Sequence, residues 1–205
     1  MCIELFKTLL GFYSIKTERR LKKAAAEGGY KWKLAKDITV RADIVVTAGQ
    51  ALMIDGNGHC IVRTNGDRHS QIFQVGNHAD LFIRNVRMIN TVGRCFRVNA
   101  NAKLCVDACT LQSAGDGIVN HARVWVCGGT AMTALQSGAV CIRNRKKNEA
   151  VIGEVVLYKC ALDTLYNEGV LTMMQNDSQI RNVLSTEKSE VCILNTQKRK
   201  GGCNL

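Results

Sequence analysis

Proline is missing altogether from the 205 residues. A proline inside a parallel ladder lacks the N–H that its neighbour needs, so its absence suits a chain built of ladders. No apolar run nears the roughly 18 residues of a membrane-spanning helix, and no transmembrane segment is expected. A signal peptide is not expected either, because Glu4 and Lys7 interrupt the apolar start and no small-residue cleavage site follows. Cys2 stands where myristoylation requires glycine. Apolar residues reach 46%, too many for a disordered chain, and the length allows one domain with a real core. Ten cysteines would suit disulfides in a secreted chain, but most are scattered singly along apolar segments. They read as small buried hydrophobes in an intracellular reducing compartment. Cys105 and Cys109 lack a second Cys or His pair at zinc spacing, so no metal or cofactor is expected.

Residues 3–26 read as helical. Leu5, Leu9, Leu10, Phe12 and Tyr13 recur at helical spacing. Thr17 can N-cap a second piece that ends at Gly28–Gly29. After Gly29 the texture changes to short β-rich triplets between Gly, Asn, Asp and Ser. Leu52-Met53-Ile54, Leu81-Phe82-Ile83, Leu104-Cys105-Val106, Val124-Trp125-Val126 and Val155-Val156-Leu157 hold equivalent places. Residues 72–88 and 95–111 align at a shift of 96 − 73 = 23, which matches Phe73 with Phe96, Val75 with Val98 and Met88 with Leu111. Repetition every 20–31 residues without a helical period predicts stacked β units. The predicted fold is all-β: a right-handed single-stranded parallel β-helix of about six rungs with an N-terminal amphipathic helical cap. Its parts are the cap at 1–29, the coil at 30–196 and a basic tail at 197–205. Asn77, Asn99 and Asn120 fall near one another in successive units, as stacked amides or ordinary turn residues.

The segment Leu52-x-Ile54-Asp55-Gly56-Asn57-Gly58-His59-x-Ile61 resembles the opening rung of parallel β-helix domains of the pectin-lyase-like superfamily. The resemblance extends over about residues 17–195 and concerns the fold. The superfamily includes lyases, hydrolases, tailspikes and virion parts, so the resemblance implies no one activity.

Strands bury alternate residues, so the middle member of each triplet faces out. Met53, Phe82, Cys105, Trp125 and Val156 are all apolar. Such a stripe calls for cover, by the N-terminal helix with Ile3, Phe6, Leu9, Leu10 and Tyr13, by a partner, or by a sugar stacked on Trp125 and Phe82. Catalysis in such a fold needs grouped carboxylates. Asp80, Asp107, Asp116 and Asp163 are single acids, and Asp55 and the Asn65-Gly66-Asp67 run read as turns. Asp67, Arg68 and His69 form a candidate polar loop, while His78 and His121 read as turn residues. Arg84, Arg97 and Arg143 are candidate contacts for an acidic glycan.

The net charge is 28 − 17 = +11. Arg19, Arg20, Lys22 and Lys23 lie in the cap, Arg145, Lys146 and Lys147 in the longest insertion, and Lys198, Arg199 and Lys200 in the tail. The remaining 18 bases against 17 acids leave a near-neutral coil, so no extended basic groove is expected along it. The expected function is a non-catalytic structural or assembly protein, for example in a virion or organellar assembly, with protein partners or self-association. Binding or cleavage of an acidic polysaccharide is the second reading. A weak contact to nucleic acid or another anionic surface is the third.

Overall fold

The computed structural model describes residues 12–148, 151–174, 178–186 and 189–194. Among those residues it is all-β apart from one helix, α1 (Glu18–Glu27), and its strands form two long parallel sheets and one small antiparallel hairpin. The nine strands of the first sheet are Tyr13–Ile15, Gly29–Leu34, Ala51–Asp55, Asp80–Arg84, Lys103–Asp107, Arg123–Cys127, Glu154–Leu157, Val170–Met174 and Glu190–Leu194. The second sheet is two ladders that meet in one strand. One ladder holds Ile38–Thr39, Cys60–Arg63, Arg87–Asn90, Thr110–Ser113 and Thr130–Ala134. The other holds Ile44–Val46, Gln71–Val75, Arg94–Val98, Ile118–Asn120 and Ile142–Asn144. The strand Cys160–Asn167 pairs through its first half with Thr130–Ala134 and through its second half with Ile142–Asn144. Gln179–Ser185 follows it. From Gly29 to Cys160 the chain visits the first sheet and then each ladder in turn, and so builds layer on layer.

The triplets found in the sequence are strand pairs. Leu52, Leu81, Leu104, Val124 and Val155 stand in register, as do Ile54, Ile83, Val106, Val126 and Leu157. All ten are at most 2% exposed. Like therefore packs on like at the interstrand spacing of about 4.8 Å. Phe73 lies over Phe96 with ring centroids 5.9 Å apart and planes at 16°. The matches of Val75 with Val98 and Met88 with Leu111 are also Cα partners.

Two further layers follow the last recognised triplet, so the first sheet has eight strands from Gly29 onward, not about six. Thr172 and Cys192 hold the middle positions there, and the spacing falls to 171 − 155 = 16. That short unit has no residues for a corner between the ladders, which is why Cys160–Asn167 serves both.

The helix is shorter than its spacing predicts. Tyr13–Ile15 is a strand paired with Trp32–Leu34, and the Tyr13 ring lies 5.0 Å from Trp32. Residues 3–11 of the predicted helix and the basic tail at 197–205 lie outside the described residues. The caps fall where expected. Thr17 Oγ1 accepts from the Arg20 N–H at 3.2 Å, and the Gly28 N–H donates to Ala24 O at 2.9 Å with Gly28 at φ 72°. Leu21, Ala24 and Ala25 are fully buried over one end of the core.

Axial stacking of Asn amides exists at Asn120, one of the three residues expected, but continues to Asn144 and Asn167 rather than to Asn99 and Asn77. Asn120, Asn144 and Asn167 are register partners at 0% exposure. Asn120 Nδ2 donates to Asn144 Oδ1 at 2.8 Å, and Asn144 Nδ2 donates to Asn167 Oδ1 at 2.7 Å. Asn77 and Asn99 belong to the turns, because the partners of Asn120 below it are Val98 and then Val75.

Candidate functional site

Met53, Phe82, Cys105, Trp125 and Val156 form one in-register column on the outer face of the first sheet. Each is half-buried. Thr172 and Cys192 continue the column. Charged columns flank it. On one side Lys103 Nζ lies 3.3 Å from Asp80, and Arg123 Nε lies 2.5 Å from Glu154. On the other, Arg84 lies 3.0 Å from Asp55. The charges thus neutralise one another along the stack, and the Arg123 guanidinium lies 5.7 Å from the Trp125 ring centroid. Helix α1 packs on Ile44–Val46 and the core end, away from this column. Of the covering group named above, Tyr13 sits in an edge strand, and Ile3, Phe6, Leu9 and Leu10 lie outside the described residues.

A second feature lies on the outer face of the ladder Arg94–Val98, Ile118–Asn120 and Ile142–Asn144. Gln74, Arg97, Val119, Arg143 and Tyr166 form one column there. Arg143 makes a bidentate pair with Asp116, at 2.6 Å and 3.0 Å, and lies 5.2 Å from the Tyr166 ring centroid. Burial lowers the pKa of Arg94, and Arg97, Arg145 and Arg143 lower it further against the pull of Asp116. Arg97 and Arg145 have no ion-pair partner among the described residues. The near-neutral sum of charge over the coil hid this local positive cluster, because that sum includes acids on other faces. The signal was present: Arg94 and Arg97 lie three apart, and Arg97 meets the Arg143 column two layers on.

The polar loop joins the cluster. The His69 ring contacts Arg68 Nε at 3.2 Å and Arg94 at 3.1 Å. Asp67 is exposed and accepts from the His69 and Ser70 N–H groups at 2.7 Å and 2.9 Å. Those bonds, led by the one from His69, hold its carboxyl below the usual range. Asp67 therefore shapes the turn, while Arg68 extends the basic surface and His69 links it to Arg94.

The other candidates are more local. In the cap, Lys22 pairs with Glu18 at 2.9 Å, Lys23 pairs with Glu27 at 3.5 Å, and Arg20 lies 5.2 Å from the Trp32 ring centroid. Arg19 is exposed on the same helix. Arg145, Lys146 and Lys147 enter a hairpin of Lys146–Asn148 with Val151–Ile152. Lys198, Arg199 and Lys200 lie outside the described residues. Asp55 closes a turn by accepting from the Asn57 N–H at 2.8 Å. Asp80, Asp116 and Asp163 each face a base. His78 adopts φ 58°, as a turn residue does. Cys105 and Cys109 straddle a corner at Ala108, with Cys105 on the outer face and Cys109 buried. Burial pushes the thiols of Cys95 and Cys105 up to about 12 and that of Cys109 to about 11. Such thiols are poor nucleophiles. Against known protein families, curated proteins and solved structures, the chain matches none.

Proposed function

We propose that the chain is a right-handed single-stranded parallel β-helix, of the kind its opening segment resembles in the pectin-lyase-like superfamily. We further propose that it works as a non-catalytic structural or assembly protein. The hand is supported by the regular return of the chain to the first sheet, since parallel crossovers are right-handed in about 98% of cases. The single observation that carries the function is the apolar column Met53, Phe82, Cys105, Trp125 and Val156, half-buried between flanks whose charges are paired. A flat apolar strip with a neutralised rim fits an extended protein surface better than a small polar ligand. The deciding measurement is the native mass of the complex isolated from the source, with every component identified, for the parent chain and for Phe82→Lys/Trp125→Lys. A defined complex that is lost in a folded variant is the expected result. A complex that survives the variant removes the column from the interface.

A second reading rests on the cluster of Arg94, Arg97, Arg143 and Arg145. Planar guanidinium groups suit carboxylate or sulfate groups, which favours an acidic polysaccharide. Retention on heparin that falls with salt and is lost on Arg97→Ala/Arg145→Ala supports it, and retention unchanged by those substitutions refutes it.

A further inference from the structure

The inward columns end differently at the two ends of the stack. At the N-terminal end α1 closes them, with Leu21, Ala24 and Ala25 fully buried. At the other end the same columns are open. Val191 continues the column of Leu171, Ile193 that of Met173, and Val183 that of Leu165. Leu165 and Leu171 are 0% exposed, whereas Val183, Val191 and Ile193 are 39%, 47% and 51% exposed. No strand lies beyond Gln179–Ser185 or Glu190–Leu194 among the described residues. Their outer N–H and C=O groups form a template for another strand. Residues 195–205 have Cys203 and Leu205 as their only apolar members, too little by themselves to cover three open columns.

We propose that this open end docks a second copy of the chain, tail to tail. A two-fold axis sets Glu190–Leu194 antiparallel to the same strand of the other copy. With the axis at Cys192, Val191 of each copy stands opposite Ile193 of the other, so the inward columns run on through the junction. Glu190, the one charged residue in this strand, then stands opposite Leu194, and no like charges meet. The contact is isologous and closes at two copies. A head-to-tail contact would set an open end against one already closed by α1, and would leave the other open end bare. The inference rests on the open end of the stack, which meets the apolar column only at Cys192, and stands whether or not that column binds a partner.

Cys192 is exposed and lies at the axis, so it reports the register. Two Cys192 residues there fall within the Cα separation of about 4.4–6.8 Å that a disulfide needs. The test is sedimentation equilibrium of the full chain from about 1 to about 100 µM, the range of micromolar association. The expected mass is twice 22.6 kDa. Val191→Lys/Ile193→Lys should be monomeric with unchanged circular dichroism. Copper-phenanthroline oxidation of the parent chain should give a Cys192–Cys192 disulfide by peptide mapping. Phe82→Lys, which alters the apolar column, should leave this dimer intact. A monomer at every concentration, an open-ended polymer, a dimer that survives in the folded double variant, or cross-links that omit Cys192 would overturn the proposal. If the double variant does not fold, the mapping on the parent chain decides.

Discussion

Replacing Asn144 tests whether the amide ladder holds the layers together. Its side chain has four hydrogen-bond contacts at 0% exposure, three of which share the two Nδ2 hydrogens. Nδ2 donates to Gly153 O at 2.9 Å, Asn167 Oδ1 at 2.7 Å and Val170 O at 3.2 Å, while Oδ1 accepts from Asn120 Nδ2 at 2.8 Å. The partners keep some bonds of their own: Asn120 Nδ2 still donates to Ala122 O, and Asn167 Oδ1 still accepts from the Gly169 N–H. At about 1 kcal/mol per bond, Asn144→Ala should cost about 3–4 kcal/mol. For a chain of this length that lowers Tm by about 6–16 °C. Asn144→Asp should be worse at neutral pH, because a carboxylate there faces three oxygens and cannot donate. Its folded pKa must rise above the unfolded value of about 3.9. The penalty is therefore full at pH 7 and relaxes as pH falls, the opposite of an ion-paired aspartate. Asn77→Ala, at an exposed turn, is the control and should stay within about 0.5 kcal/mol. Urea titrations of the three variants at neutral and acidic pH give the answer. An Asn144→Ala loss no larger than that of Asn77→Ala, or an Asn144→Asp variant that is no worse at neutral than at acidic pH, would refute the reasoning.

Other consequences are equally open to measurement. Phe96→Ala removes a fully buried ring stacked on Phe73 and should cost about 3–5 kcal/mol in a urea melt. Arg63, 5% exposed, bonds Asp43, the Gln71 carbonyl and the Asn65 carbonyl. Arg63→Ala leaves the Asp43 charge with only the Gln71 donors and should cost about 3 kcal/mol, whereas removing both partners should cost less than the sum of the two single changes. The raised thiols of Cys95 and Cys109 ionise in the unfolded chain before the folded one. Their contribution is complete below the unfolded pKa of about 8.5 and is lost as pH climbs towards 11–12, so Tm should fall across that window and fall less in Cys95→Ala/Cys109→Ala. In a Cys2→Ser/Cys203→Ser background, a thiol reagent should label Cys192 first, and Cys95, Cys109 and Cys141 only on unfolding.

The stacking was legible in the sequence because each layer must satisfy the layer beneath it. A column of inward side chains repeats its residue type, and Leu52, Leu81 and Leu104 announce themselves as equivalents. The Thr17 and Gly28 caps were legible because capping is a local matter. The strand at Tyr13–Ile15 was not, since apolar residues at helical spacing also suit a short edge strand. The layer of Val170–Met174 lost its signature when Thr172 replaced an apolar middle member, whereas Val191-Cys192-Ile193 keeps the triplet pattern. The arginine cluster was hidden for a topological reason. Arg94, Asp116 and Arg143 are far apart along the chain, and only the register of the second sheet sets them side by side.

The spacing between equivalent residues swings from 16 to 31 along the first sheet, yet every column keeps its place. Extra residues leave at the corners, as the hairpin after Arg145 does, and beyond one register shift between Gly29 and Trp32 the first sheet keeps its register. The molecule thus measures position in layers rather than in residues. Insertions at its corners can change what it touches without moving anything that holds it up.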